Sequence, residues 1–349
     1  MKNKRIEQIQ YFDFSSQLHD KTASKVNPVT GQFELTFRCN LNCVHCYAAE
    51  EPKKKELSYS QVLGILGKIN HAGCLWLSFT GGEPLIREDF IDIYRYAKRK
   101  GFIISILTNA TLVNPKIADY LAEEPPLAIE ISLNGITEST YERISRTKGS
   151  FKKFMAGIRL LKDRKLPLRI KTQAMTLNYH ELDKIKDFTR GLGLPFVLDG
   201  MIYPKLDGSD AACRLRLSPE EIANLNGLMS DSELCPKIEE DEFESCDYLF
   251  RCAAGINSFH ISPYGELIFC TFYREPRFDL RSGQFREGFS IFKQLRNLKY
   301  QTDSQCKDCK IWYVCGQCPA VAKLENGNSE KPIEYLCRLA HKLAESKHG

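Results

Sequence analysis

Phe33-Glu-Leu-Thr-Phe-Arg38, followed at once by Cys39-Asn-Leu-Asn-Cys43-Val-His-Cys46, is the stretch that decides the fold. Its first half alternates apolar and polar positions and reads as a strand over Phe33–Arg38. Its second half places three cysteines, spaced CxxxCxxC, on the loop that the strand delivers. Outward from it, β-rich runs recur at Cys74–Phe79, Ile103–Thr108, Leu127–Ser132, Leu168–Ala174 and Pro195–Asp199. Several are nearly continuous apolar runs, as parallel strands covered on both faces require. Helical stretches fill the gaps: Ser60–His71, Asp89–Lys100, Pro115–Ala122, Thr137–Ser145, Phe151–Arg164 and Tyr179–Arg190. Pro115 after Asn114 fits a helix start and Gly101 after Lys100 a helix stop. Strand–helix alternation implies right-handed crossovers and a parallel sheet. Six βα units are too few for a closed eight-fold barrel, so an α/β fold with a partial, open (βα)6 TIM-like barrel is expected over 31–200. Residues 1–30 are then an N-terminal extension, and polar residues at the strand ends gather on one face.

Composition narrows the class. The 349 residues are 43% hydrophobic, and a globule of this size buries roughly 75% of its unfolded surface without covalent staples. Fourteen cysteines in such a chain fall well below the roughly 8–10% of a small disulfide scaffold. No signal peptide opens the chain and no apolar run is long enough to span a membrane, so a cytoplasmic protein without a membrane partner is expected. Grouped cysteines in a reducing compartment more often bind metal than form disulfides. The net charge of +5 is spread along the chain, which argues against a nucleic-acid partner. Lys53-Lys54-Lys55 reads as a solvated loop.

Three thiolates on one short loop can hold three irons of a [4Fe–4S] cubane, leaving the fourth iron open to a chelating ligand. A zinc site completed by His45 is the alternative on spacing alone. Thr80-Gly81-Gly82-Glu83-Pro84 follows the second strand candidate; its glycines permit close backbone approach, and Glu83 offers an acceptor for an ammonium group. Taken alone, this segment reads more often as a tight turn than as a site.

Together these residues resemble the radical S-adenosylmethionine superfamily. The resemblance implies a cluster on Cys39, Cys43 and Cys46 that binds S-adenosylmethionine on its open iron and cleaves it reductively. The products are methionine and a 5′-deoxyadenosyl radical that abstracts hydrogen from substrate, with the three cysteines at the catalytic centre. It further implies that Gly81, Gly82 and Glu83 receive the methionine amino group, and that Tyr47 forms part of the adenine wall. Ser132-Leu-Asn134-Gly135 resembles the family's SLDG segment, with Asn134 in place of Asp, and Thr108-Asn109-Ala-Thr111 resembles its TNG-type element. Ser132, Asn134 and Asn109 are therefore candidate cofactor contacts, with Asn109 equally a turn residue. Arg146 matches the carboxylate-binding arginine, with Arg143 as competitor, and Gln173 near the end of the fifth strand is a further candidate.

After Gly200 the pattern changes. Met201 to Ser218 reads as a connecting loop, and Ser218-Pro219-Glu220-Glu221 opens a helix through Ile222–Met229. Residues 201–245 form a linker and 246–349 a cysteine-rich domain. Its cysteines run Cys246, Cys252, Cys270, then Cys306-x2-Cys309-x5-Cys315-x2-Cys318, then Cys337. Two close CxxC pairs could be zinc knuckles, but zinc needs only four ligands, whereas eight thiolates suit two fully ligated cubanes. The arrangement resembles the SPASM domain, a small α+β auxiliary-cluster module. The resemblance assigns Cys246, Cys252, Cys270 and Cys318 to one auxiliary cluster and Cys306, Cys309, Cys315 and Cys337 to another. Gly316-Gln317 is one residue shorter than the family's usual spacing, which bears on that split. Cys74 reads as a core residue, Cys213 and Cys235 as ordinary thiols, and Trp312 and Tyr313 as packing.

SPASM-bearing relatives mostly modify peptides or proteins. The sulfatase-maturing ones carry an Asp base after the second SPASM cysteine, where Thr271 follows Cys270 here. The resemblance therefore favours a maturase of a ribosomally made peptide over a sulfatase-maturing enzyme. A radical enzyme acting on a small-molecule or cofactor precursor is the alternative, and a zinc-dependent binding protein a more distant one. An electron donor such as flavodoxin or ferredoxin is implied. With the barrel beginning by residue 33, a separate leader-binding protein or direct peptide recognition is expected.

Overall fold

A computed structural model describes residues 10–48, 54–225 and 247–347. Cys235 and Cys246 lie outside these residues. Strands β1 (Thr30–Thr36), β2 (Trp76–Gly81), β3 (Ile103–Thr108), β4 (Ala128–Ser132), β5 (Leu168–Gln173) and β6 (Phe196–Asp199) pair in sequence order, all parallel. β3 has the bounds expected from sequence. β1 starts three residues early and stops at Thr36, so Phe37 and Arg38 already belong to the loop that carries the cysteines.

The sheet does not end at β1. Strand β7 (Ser258–Ile261), from the cysteine-rich tail, lies parallel to β1, with Gln32 opposite His260 and Phe33 opposite Ile261. Two short antiparallel strands, β8 (Glu266–Ile268) and β9 (Phe278–Asp279), extend it to the order β6-β5-β4-β3-β2-β1-β7-β8-β9. Barrel and tail thus share one sheet.

The period-2 alternation of strands sets the two faces. Phe33 and Leu35 of β1, Ile104 and Ile106 of β3, and Ile129 and Ile131 of β4 are buried in one core with the outer helices. Each such side chain contributes about 1.5–3 kcal/mol on full burial. The helix Tyr59–His71 starts on a capping box between Ser58 and Gln61 and buries Val62, Ile65, Leu66 and Ile69. The helix Pro115–Glu123 starts as expected, with the Asn114 side chain accepting from the N–H of Ile117 at 3.0 Å. On β1 and β4 the residues that alternate with these apolar ones include Glu34 and Glu130, whose side chains turn to the opposite, concave face.

The N-terminal extension forms a helix, Tyr11–Ala23, at the starts of the strands. Trp76, the first residue of β2, donates to the Tyr11 hydroxyl at 2.6 Å and stacks on His19 at 4.7 Å. His19 Nε2 is 3.0 Å from Thr30 Oγ1 at the start of β1. At the opposite end, the connecting loop after β6 packs down: Ile202 and Ala212 are buried together with Ile144 and Met175, against Val44 of the cysteine loop. The helix expected after it opens at Pro219 on a Ser218–Glu221 capping box. Among the described residues no helix is long and apolar enough to cross a membrane.

Candidate active site

The loop Cys39–Cys46 is held by backbone more than by side chains. The N–H groups of Asn42 and Val44 donate to the carbonyls of Ser145 and Ile144, each at 3.0 Å. These are the last carbonyls of the helix Glu138–Ser145, which have no partner within the helix itself. That helix is fixed at its other end by Glu181, buried at 2% exposure, which accepts from Thr137 Oγ1 at 2.6 Å, Thr140 Oγ1 at 2.7 Å and the N–H of Ile136 at 2.7 Å. Arg146 caps the helix in the left-handed conformation (φ 50°, ψ 31°) and is exposed beside this junction, as is Arg143.

Gly81 and Gly82 make the second contact. The expected reason for them is room for a ligand; the structure adds another. Gly82 N–H donates to Thr36 O at 2.7 Å and Glu83 N–H to Arg38 O at 3.0 Å, so the end of β2 lies against the backbone leading into Cys39. A Cβ on Gly82 would stand 2.4 Å from Arg38 O, and one on Gly81 2.0 Å from Thr36 O at a φ of +134°.

Glu83 is fully buried. Its carboxylate accepts from Thr108 Oγ1 at 2.8 Å and from the N–H groups of Asn109 at 2.7 Å and Leu85 at 3.0 Å, joining the ends of β2 and β3. Burial still pushes its pKa up to about 7, with the hydrogen bonds opposing. A cation placed against it would favour the ionised form, which fits an ammonium ligand. Asn109 reaches the cysteine loop directly, its Nδ2 lying 3.1 Å from Asn40 Oδ1 and 3.8 Å from Cys39 Sγ. It is also the turn residue expected, since its Oδ1 accepts from Thr111 N–H at 2.9 Å.

At the end of β4, Ser132 is exposed and Asn134 buried. Asn134 Oδ1 accepts from the N–H of Gln173 at 2.8 Å, which turns its Nδ2 toward His45 Nε2 at 3.3 Å. Gln173 has its amide engaged: Nε2 donates to Asp199 O and Met201 O, both at 2.8 Å, and so ties β5 to the loop after β6. Tyr47 packs edge-on against Phe272 of the tail at 5.4 Å, and its carbonyl accepts from Leu206 N–H.

The three thiols are a demanding set for protons. Burial pushes Cys43 up to about 12, with Cys46 and Cys39 adding to it, and burial likewise raises Cys39 and Cys46. Thiolates in such a place need positive charge, which iron supplies. His45 Nε2 faces the Asn134 side chain. Among the described residues, no three His, Cys, Asp or Glu groups converge on one point as a single metal ion needs. A cubane accepts one thiolate at each of several separate corners, so the donor set fits the cluster.

The tail thiols fall into two groups. Cys315 is pushed up to about 11 by burial first, then by Cys306, Cys309 and Cys337. Cys270 is pushed up to about 12 by burial, with Cys318 and Cys252 contributing. A cavity of about 420 Å³ lies among Cys252, Cys306, Cys309, Cys315, Cys318 and Cys337. Trp312 lines it and carries Arg251 5.5 Å from its ring, a packing role. Cys74 is buried in the core, and Cys213 lies in the loop after β6.

Residues without a motif also converge here. Glu34, fully buried on the concave face of β1, takes a two-pronged salt bridge from Arg274 of the tail at 2.9 and 3.2 Å. Burial holds the Glu34 carboxyl above the usual range, with Arg274 opposing. Next to them, Thr271 Oγ1 is 3.1 Å from His260 Nδ1. Only the alternation Phe259-His260-Ile261 ahead of Pro263 and Gly265 hinted at a strand there.

Residues 33–190 match the family model for the radical SAM superfamily. The chain carries a radical SAM domain. It is 24% identical to the AdoMet-dependent heme synthase of Methanosarcina barkeri over 85% of this chain and 92% of that protein. It is 26% identical to the mycofactocin maturase MftC of Mycobacterium tuberculosis over 92% of this chain and 86% of that protein. Streptococcus suis SuiB, solved bound to the precursor peptide SuiA, superposes with a TM-score of 0.72 at 16% identity, over 97% of this chain and 84% of that one. The chain is a radical SAM enzyme with the fold of those relatives, a partial TIM-like barrel with a C-terminal extension. The fold implies one [4Fe–4S] cluster and S-adenosylmethionine.

Proposed function

We propose that this radical SAM enzyme is a maturase that removes hydrogen from a side chain of a ribosomally made peptide. Cys39, Cys43 and Cys46 would hold the [4Fe–4S] cluster, which would supply the electron for cleavage of S-adenosylmethionine. The protein's own work is positional. The helix Glu138–Ser145 and the ends of β1 and β2 hold the cysteine loop by backbone hydrogen bonds. In this reading Glu83 receives the cofactor's ammonium group, with Gly81 and Gly82 beneath it. Ser132, Asn134, Asn109, Arg146, Gln173 and Tyr47 border the same face, where Gln173 acts by fixing the loop after β6. Two auxiliary [4Fe–4S] clusters would take Cys252, Cys270 and Cys318 with Cys246, and Cys306, Cys309, Cys315 and Cys337.

The observation that carries the peptide reading is the whole-length fold shared with SuiB, solved with its precursor peptide. A second reading, a porphyrin-like cofactor precursor, is favoured by the similarity to the heme synthase. Anaerobic reconstitution followed by iron and 5′-deoxyadenosine measurement tests the cofactor assignment, with about 12 irons expected from three cubanes. Incubation with synthetic precursor peptides and with iron-coproporphyrin, read by mass spectrometry, separates the substrates. A mass change in a peptide alone supports the maturase; a change in the porphyrin alone overturns it. An external electron donor and a leader-binding partner belong to the same proposal.

A further inference from the structure

The cavity of about 420 Å³ in the tail is bordered by six thiols, those of Cys252, Cys306, Cys309, Cys315, Cys318 and Cys337. Most of its remaining wall is apolar, with Phe250, Ile311, Trp312 and Pro319 among the residues. Among the described residues that line it, Arg251 is the one that carries a permanent charge. Arg251 is fixed at both ends. Its backbone leads straight into Cys252, while its guanidinium reaches the other group of thiols. There Nη2 donates to Lys307 O at 2.9 Å and to Cys306 O at 3.5 Å. The Trp312 ring lies 5.5 Å from the guanidinium carbon and forms a cation–π shelf for it. Lys307, beside Cys306, turns outward instead and spends its charge on Asp247 at 3.0 Å.

A cubane on four thiolates is net negative, and taking up one electron makes it more so. A cation held close by in an apolar wall favours the reduced form and so raises the reduction potential. The same charge is felt by the nearest thiol. Burial first, then Cys309 and Cys337, push Cys306 up, while a hydrogen bond with Ser304 and the charge of Arg251 pull it back. Cys270 and Cys318 are raised by burial and by neighbouring thiols, with no cation among the described groups that oppose. The field of Arg251 is thus directed at one group of thiols and not the other. We propose that Arg251 sets the reduction potential of the auxiliary cluster on Cys306, Cys309, Cys315 and Cys337. It holds that potential above the value the four thiolates would give, which poises the site to take up an electron. The inference rests on the two-cluster reading of the tail.

The test needs neither substrate nor S-adenosylmethionine. Reconstituted enzyme is poised anaerobically at stepped potentials and its reduced clusters are read by electron paramagnetic resonance. The signal missing from Cys309→Ala marks the cluster in question. In Arg251→Gln the ratio of reduced to oxidised cluster at a fixed potential is expected to fall about ten-fold for that signal alone. For one electron this is a shift of about 59 mV. Arg251→Lys, which keeps the charge without the guanidinium fork, is expected to stay within about two-fold of the parent ratio. An unchanged midpoint in Arg251→Gln overturns the proposal, and so does an equal fall of both auxiliary signals. A midpoint in Arg251→Lys as low as that of Arg251→Gln overturns it as well. If Arg251→Gln does not hold its iron, Arg251→Lys decides alone. Full iron with the parent midpoint then supports the charge, whereas a lowered midpoint or lost iron leaves Arg251 a strut and overturns the proposal. Parent enzyme that takes up only about eight irons or fewer sinks the two-cluster reading instead.

Discussion

The molecule carries cysteines in two regions that are built in opposite ways. At the end of β1, three thiols lie within eight consecutive residues, and the backbone of neighbouring elements grips that loop. In the tail, seven described thiols come from four separated stretches, and six of them line one cavity. The first region is local in sequence and depends on the barrel for its shape. The second is assembled by folding and depends on each stretch arriving. Local sites are expected to lose chemistry when altered, assembled ones to lose metal and structure together.

The sharpest way to break that contrast is at the first site. Cys43→Ala should abolish 5′-deoxyadenosine, a fall of about 1,000-fold or more, while removing only about four of the twelve irons. Loss of all iron would show that the regions are not independent. Cys309→Ala should do the converse: about four irons lost, deoxyadenosine still formed, and peptide product gone. Abolished deoxyadenosine would join the two regions into one unit.

Their contact can be tested as well. Glu34→Gln leaves Arg274 buried without its partner, which costs about 3–5 kcal/mol, and anaerobic urea unfolding should show it. An unchanged midpoint would mean that the tail is not fastened to β1 through this pair. The smallest effect concerns Glu83. Its raised pKa of about 7 leaves much of it protonated below neutrality, and an ammonium ligand prefers the ionised form. Affinity for S-adenosylmethionine should therefore rise several-fold between pH 6 and 8, and Glu83→Gln should flatten that rise. A flat profile in the parent enzyme would remove Glu83 from the cofactor's ammonium.

Sequence was a good guide wherever a signal was local. Ile103–Thr108, the Asn114–Pro115 helix start and the Ser218–Glu221 capping box all appear as read. The cysteine loop is legible as a loop for the same reason, because its thiols follow at once on the end of β1. Gly81 and Gly82 were legible as a site of close approach, but not the partner, since Thr36 and Arg38 lie some forty residues earlier. Strand β7 was missed because four residues carry little periodicity and its partner is more than 220 residues away. Glu34 with Arg274, and Glu181 beneath its threonines, were hidden likewise. A buried carboxylate looks like any surface one until folding supplies its donors.

The place of β7 beside β1 bears on how the chain can be handled. A chain cut after residue 225 would strip β1 of that neighbour and leave its row of N–H and C=O groups bare. Such an open edge invites pairing with other chains, so the barrel on its own should aggregate rather than stay dispersed. Mix-and-match grafting of tails between relatives would face the same demand: the incoming tail must first supply a strand that seals this edge.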